Sequence, residues 1–507
     1  MSLARPTYHQ RGEFIMPKSL LPYKYEESKT SANLSSFAGL PVILDFLHSL
    51  RFDRVLRQEL DTAEHADCLW KPSIITTNLL LLNLAGGDSV DDLHRIQADP
   101  GMSRLLEKFH EANLSVPALR KHREVKRRQA AGSVPAASTV FRFLKQDGEI
   151  GLEERGQGKA YIPPTGQTAE QLCACNKQLI SALCANRAYD AITLDMDATL
   201  IETQKRDALY GYKGFTAYQP MNVWWAEQRA MLYTEFRDGN VPASYALKSV
   251  IERALACLPR TDKPVFLRSD TAGYNIELLK FCDDSKIEFA VGCDISREFR
   301  KAVDELPASA WHKLDKKRQY AEVCFVPSSI ASTKKRKHEF RYLAIREAIQ
   351  KQLTLFDMPE PEYPFPVIDL QGNSYKIHAL VSNRDIAAPE LINWYYKRCG
   401  TSEEVHGILK NDLAGGTLPC NHFHANANWW WIAVLAHNIH SAFKLLCCDE
   451  SFQKSRLKRI RFCIINIPGL VIEHGRRLIV RLNAGDSAYG LLSEIRRAIC
   501  GLRPCPG

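Results

Sequence analysis

The sequence predicts an α/β chain: a mixed sheet with flanking helices, preceded by a helical domain and interrupted by a β-rich insertion. Three observations carry this. Apolar residues recur at helical spacing from Phe37 to Phe109, YDAITLDMDATL (189–200) alternates as a half-buried strand does, and β-like segments crowd residues 296–388 between two helical stretches. At 507 residues, two or three domains are expected. Hydrophobic residues at 45% and charged residues at 25% exclude disorder as the main state.

Residues 1–34 are polar and aperiodic and read as a flexible arm. Residues 35–150 read as a helical DNA-binding domain. FAGLPVILDFLHSL (37–50) repeats apolar residues at three and four, and IITTNLLLLNLAGG (74–87) is a buried helix ending on Gly86 and Gly87. The run KHREVKRR (121–128) offers Lys121, Arg127 and Arg128 to a phosphate backbone, and Arg142 sits in the next helix start; a solvated basic face is the alternative. Residues 151–185 form a Gly- and Pro-bearing linker and a connecting helix.

Residues 186–295 hold the first part of the core. After 189–200, the segments YQPMNVWW and MLYTEFRDGN read as two strands joined by AEQR, ASYALKSVIERALACL as an amphipathic helix, KPVFLRSD as a fourth strand, YNIELLKFCDD as a helix and KIEFAVGCD as a fifth strand. A three-stranded meander, then helix, strand, helix, strand, is the order of a ribonuclease H-like fold. Residues 296–388 form the β-rich insertion, with a basic knot carrying Lys335 and Arg336. Residues 389–450 complete the core with helices at PELINWYYKRCG, SEEVHGILKNDL and NANWWWIAVLAHNIHSAFKLL, and 451–507 are a C-terminal basic region. Trp429 to Trp431 span most of a helical turn, so at least one is expected at the surface, where it would stack on a base.

The net charge of +9 favours a polyanionic partner, and no run of 18 uncharged apolar residues appears. A soluble, cytoplasmic, nucleoid-associated protein without a membrane partner is expected. The fifteen cysteines are scattered, without the two-residue spacing of structural zinc sites, and read as reduced thiols.

Asp195 and Asp197 share the strand face opposite Ile192, Leu194 and Met196, and Asp270 ends the fourth strand, the expected neighbour of the first. A third acid must come from a helix beside them. Thr401 and Glu404 have capping-box spacing, which occupies Glu404 and leaves Glu403 free. Glu403, His406 and Lys410 fall near one helical face. Carboxylates so placed suit two divalent ions about 3.5–4 Å apart, the arrangement that drives phosphodiester transfer.

The blocks LDMDAT, LRSDTAGY and YYKRCGTSEEVHGILK resemble the three acidic blocks of DDE transposases of bacterial insertion sequences. The last looks like their Tyr-Arg-Glu-Lys signature, matched by Tyr395, Arg398, Glu403 and Lys410; GNVPAS, WWW and IRFCIINIPG are similar to the subgroup called IS-thirteen-eighty. The resemblance implies metal binding by Asp197, Asp270 and Glu403, two Mg2+ ions replaceable by Mn2+, and Asp195 assisting. It implies double-stranded DNA as partner, both terminal inverted repeats and target, contacted by Tyr395, Arg398 and Lys410, and a homodimer in the synaptic complex. Four residues separate Arg398 from Glu403 where the family usually has three, so Glu403 and Glu404 both stand as ligands; Asp195 and Asp197 share a face that alternation alone does not separate. A metal-dependent nuclease on the same fold and a catalytically inactive DNA-binding protein are the alternative readings.

Overall fold

A computed structural model describes residues 33–505 except 66–67, 113, 130, 329–338, 350–362, 364, 371–372, 476 and 484–486. Residues 1–32 of the expected arm 1–34 and the basic knot with Lys335 and Arg336 therefore lie outside the described residues.

One ten-stranded mixed sheet organises the molecule. Third from one edge is the interior strand β2 (Ile192–Ala198), which pairs antiparallel with β6 (Met221–Trp225) and parallel with β8 (Val265–Ser269). Beyond β6 lies β7 (Ala230–Glu235), antiparallel; beyond β8 lies β9 (Glu288–Cys293), parallel. A central strand is covered on both faces, and the first five residues of β2 are buried, Asp195 included.

The strands of 296–388 do not stand apart. β14 (Asn373–Ser382) pairs antiparallel with β9, and β12 (Arg341–Ala348), β11 (Arg318–Val323) and β10 (His312–Lys313) follow outward, with β13 (Val367–Leu370) alongside β14. Pairing with β14 satisfies the backbone groups that β9 would otherwise leave open at an edge. Two small sheets complete the strands: β1 (Leu34–Ser35) with β15 (Gly469–His474) and β16 (Arg477–Arg481), and β3 (Ile201–Glu202), β5 (Thr216–Tyr218) and β4 (Leu209–Tyr210).

The core gathers on the 25-residue helix Phe423–Cys447, of which only Lys444, Leu445 and Leu446 escape burial. Helices Gln167–Asn186 and Pro72–Ala85 and strand β7 pack against it, so the helix is buried on every side, its few polar side chains included. The expectation of an exposed tryptophan fails for that reason. Trp429, Trp430 and Trp431 are all buried, and the first two place their indole N–H groups on the Ala414 carbonyl and the Thr234 hydroxyl, both at 2.8 Å. The helical N-terminal part joins the same core: a side chain at Gly39 would collide with the Ile464 carbonyl, 1.5 Å from an ideal Cβ, so only glycine permits this approach.

The edge of β7 is capped by side chains. Asn438 Oδ1 accepts the Met231 amide (2.8 Å), and its Nδ2 donates to the Met231 carbonyl and to Asn176 Oδ1 (both 2.7 Å). Asn176 in turn donates to the Met231 and Leu232 carbonyls (3.0 and 3.1 Å). Two helices thus close the edge with amides instead of a further strand.

The segment 151–165 is pinned. Arg155 forks onto Asp238 (2.8 and 2.7 Å), reaches Asp207 Oδ1 (2.7 Å), and lies 4.9 Å from the centre of the Phe423 ring.

Candidate active site

The parallel register of β2 and β8 sets Asp195 beside Arg268 and Met196 beside Ser269. Continued by one residue, it brings Asp197 and Asp270 out together where the two strands end. Asp195, one pleat deeper, is 2% exposed; Arg268 grips it with Nε at 2.6 Å and Nη2 at 2.8 Å and donates Nη1 to the Trp394 carbonyl at 2.7 Å. Both oxygens of Asp195 are therefore committed to a bidentate pair, while those of Asp197 are not. Its nearest cation is Arg398, with Nη2 at 3.9 Å. Burial, then the neighbouring Asp270, then Glu403 push the Asp197 carboxyl up to about 7 against the opposing pull of Arg398.

Asp270 caps the short turn Thr271–Gly273, its Oδ1 accepting the Ala272 amide at 3.1 Å. Glu403 lies in the helix Thr401–Gly407. Here the expected cap is shifted by one residue. Gly400, in the left-handed region at φ 82°, begins the helix ahead of Thr401, so Glu403 and not Glu404 takes the third position and accepts the Gly400 amide at 2.8 Å. The two glutamates face different ways. Glu403 contributes to the field at Asp197, whereas Glu404 acts on Lys444 and lines a separate cavity with Trp224, Arg229 and His440.

The helix is tied to the sheet by a buried relay. His406 Nε2 meets Asn222 Nδ2 at 3.1 Å; Asn222 Oδ1 accepts the Thr234 hydroxyl at 2.7 Å. Asn222 is the residue paired with Asp197 across β2 and β6. Because the amide donates, His406 Nε2 accepts and its proton sits on Nδ1. Burial and the Lys410 charge hold His406 down at about 4, which keeps the ring neutral near pH 7.

Arg398 is 8% exposed, and its Nε has no partner among the described residues. Tyr395, expected at the DNA, is buried: its ring lies 5.9 Å from the Arg398 guanidinium and 5.7 Å from His378, so it supports Arg398 from within. Lys410 lies in a short π-helical turn, Ile408–Asp412, and donates to the Leu200 carbonyl at 3.3 Å. Lys121, Arg127 and Arg128 are exposed on the helix Val116–Arg128, none of whose residues is buried, and Arg142 is exposed on the helix Ala137–Leu144. These cations are remote in sequence from the carboxylates and belong to the helical part of the chain.

A family model described as transposase DDE domain group 1 matches residues 24–503. The chain belongs to the DDE transposase family. Among solved structures, a piggyBac transposase synaptic complex with hairpin DNA is similar over 90% of this chain and 80% of that one, at 11% identity and a TM-score of 0.40. No curated protein matches. In this transposase, no group of three or more His, Cys, Asp or Glu side chains among the described residues forms a ready-made metal cluster. Asp270 and Glu403 each place one oxygen on a backbone amide, and each keeps a second oxygen. Hard oxygen donors whose charges raise the Asp197 carboxyl fit a divalent cation, which would relieve their repulsion. Arg268 and Asn222, which fix Asp195 and the glutamate helix, carry no sequence signal of their own; only the strand register reveals them.

Proposed function

We propose that this protein is the transposase of a bacterial insertion sequence, which cleaves DNA at the element's terminal inverted repeats and joins the freed 3′-hydroxyl to target DNA. What supports the reading is that Asp197 and Asp270 stand at the ends of adjoining parallel strands and that the charges of Asp270 and Glu403 both act on Asp197, whose cation partner among the described residues is Arg398 at 3.9 Å. The sheet order of meander followed by two parallel strands supports a ribonuclease H-like core, and Tyr395, Arg398, Glu403 and Lys410 stand in the order of the Tyr-Arg-Glu-Lys signature of the IS-thirteen-eighty group. Two divalent ions, Mg2+ or Mn2+, bound by the three carboxylates would activate the attacking oxygen and neutralise the leaving one.

The chain's own residues set the conditions. Asp197 and Asp270 are fixed by adjoining parallel strands, and Glu403 swings into the set by releasing the Gly400 amide. His406 and Asn222 hold its helix against β6. Arg398, buried and short of partners, holds a phosphate oxygen of the DNA at the rim of the site. Asp195 acts through Arg268, which it anchors, and touches no substrate. Lys121, Arg127, Arg128 and Arg142 bind duplex backbone away from the chemistry, and a homodimer brings both element ends together.

Cleavage of end DNA by purified full-length chain tests this. Asp270→Asn and Glu403→Gln should each lower Mg2+-dependent cleavage on the order of 10³-fold, with end binding intact, and Glu404→Gln should stay within about threefold of wild type. Undiminished cleavage in Asp270→Asn would overturn the site. Cleavage without strand transfer from pre-cut ends would make the protein a nuclease, and calorimetric titration with Mg2+ or Mn2+ that gives no heat would make it an inactive DNA-binding protein.

A further inference from the structure

Beside the helix Thr401–Gly407, on the side that carries Glu404, lies a cavity of about 610 Å³ that no part of the proposed chemistry uses. Strands β2 and β6 form one wall, that helix a second, and the long helix Phe423–Cys447 with residues 453–455 a third. The space is far larger than one ordered water needs, and its lining is short of acceptors.

Trp224 is 6% exposed and His440 3%, yet neither the indole Nε1 of the first nor the Nε2 of the second has a hydrogen-bond partner among the described residues. Both side chains line the cavity. An indole N–H can only donate, so Trp224 calls for an acceptor; the His440 ring, kept neutral by burial, donates from Nε2 in one tautomer. The carboxylates of the wall are committed elsewhere. Glu227 places its oxygens on the Thr193 amide and hydroxyl (2.8 and 2.6 Å), and Asp195 places both of its own on Arg268. That leaves Glu404 against four cations of the lining, Arg229, Lys397, Lys444 and Lys454, none of which forms a salt bridge among the described residues. Lys444 donates to the Ser455 carbonyl at 2.7 Å, and burial together with the Arg229 charge holds its ammonium below the usual range. Cations that disfavour one another are reconciled by an anion between them.

We propose that this cavity binds a small phosphate, inorganic or a monoester, which accepts the Trp224 and His440 N–H groups and lies between Lys444 and Arg229. Thr401, at the start of the glutamate helix, also lines the cavity and adds a hydroxyl donor. The bound anion therefore clamps the helix Thr401–Gly407 onto Phe423–Cys447 from the side opposite the catalytic acids, and so regulates how firmly Glu403 is presented. Binding itself does not depend on the reading of Asp197, Asp270 and Glu403 as the centre of DNA cleavage.

The test is calorimetric titration of the full-length protein with inorganic phosphate, in EDTA and at an ionic strength held constant with sodium chloride. Wild type should show one saturable site with a Kd on the order of 1 mM. Trp224→Phe, which removes the N–H and keeps an aromatic ring, should weaken it about tenfold. Lys454→Ala should weaken it about threefold; Lys454 is exposed, so this second variant keeps its fold even if the first does not. Saturating phosphate should slow amide hydrogen exchange across Thr401–Gly407 in wild type and leave it unchanged in Trp224→Phe. The absence of saturable heat, or equal affinity in wild type and both variants, would overturn the site. Binding without slower exchange in that helix would overturn the clamp. Competitive displacement of the Trp224-dependent phosphate by a 20-base-pair duplex would give the cavity to a DNA backbone phosphate and overturn the small-molecule occupant.

Discussion

Asp195 and Asp197 are two residues apart on one strand and one face, yet they occupy opposite electrostatic worlds. Asp195 has both oxygens held by Arg268 and lies in an interior where Asn176, Asn438, Trp429 and Trp430 also find partners. Asp197 opens onto a rim where the like charges of Asp270 and Glu403 act on it together with Arg398, which stands at 3.9 Å. An interior that holds a charge gives that charge a partner; a rim built for binding leaves a charge surplus to be completed by something else. The surplus, more than the mere presence of carboxylates, marks the site.

The largest effect should come from breaking the interior side of this contrast. Arg268→Met leaves Asp195 buried and unpaired and should lower stability by about 3–5 kcal/mol, measured by denaturant unfolding; a change below about 1 kcal/mol would mean that Asp195 is protonated and the pair is no anchor. Asn438→Ala should cost about 2 kcal/mol, since the Met231 amide and the Asn176 amide oxygen lose their partners at the β7 edge. Faster amide hydrogen exchange confined to β7 would sharpen that assignment, and unchanged exchange would remove it.

Much of this was legible in the sequence, for physical reasons that differ by element. Alternation in 189–200 and the apolar runs at LRSD and KIEFAVGCD locate β2, β8 and β9 because a side-chain period of two follows directly from strand geometry. The acids Asp197, Asp270 and Glu403 were visible as residues at strand ends and on a helix. Their partners were not. Arg268 in LRSD looks like any strand arginine until the β2–β8 register puts it opposite Asp195. The capping shift at Gly400 depends on a positive φ that spacing alone does not express. Nor does a single helix reveal that its three consecutive tryptophans will be enclosed on every side, which is a property of the neighbours of Phe423–Cys447. Trp224 had no motif signal of its own; only the unmet indole N–H beside a cavity singles it out.

The rim side of the contrast gives the smallest effect and the opposite sign. The Asp197 carboxyl is raised from 3.8 to about 7 by burial, Asp270 and Glu403. A carboxyl raised in the folded state binds its proton more tightly there than in the unfolded chain, so stability falls as pH climbs from about 3.8 to about 7 and stays low above it. In EDTA at pH 7.5, Asp197→Asn should therefore be more stable than wild type by on the order of 1 kcal/mol, with the difference closing below pH 4. Adding Mg2+ should reverse the ranking, because an ion that binds only the folded wild-type site raises its melting temperature by mass action and leaves the asparagine variant behind. If Asp197→Asn were instead destabilising in EDTA, Asp197 would belong with Asp195 as a structural acid, and the division between a matched interior and an unmatched rim would have been drawn in the wrong place.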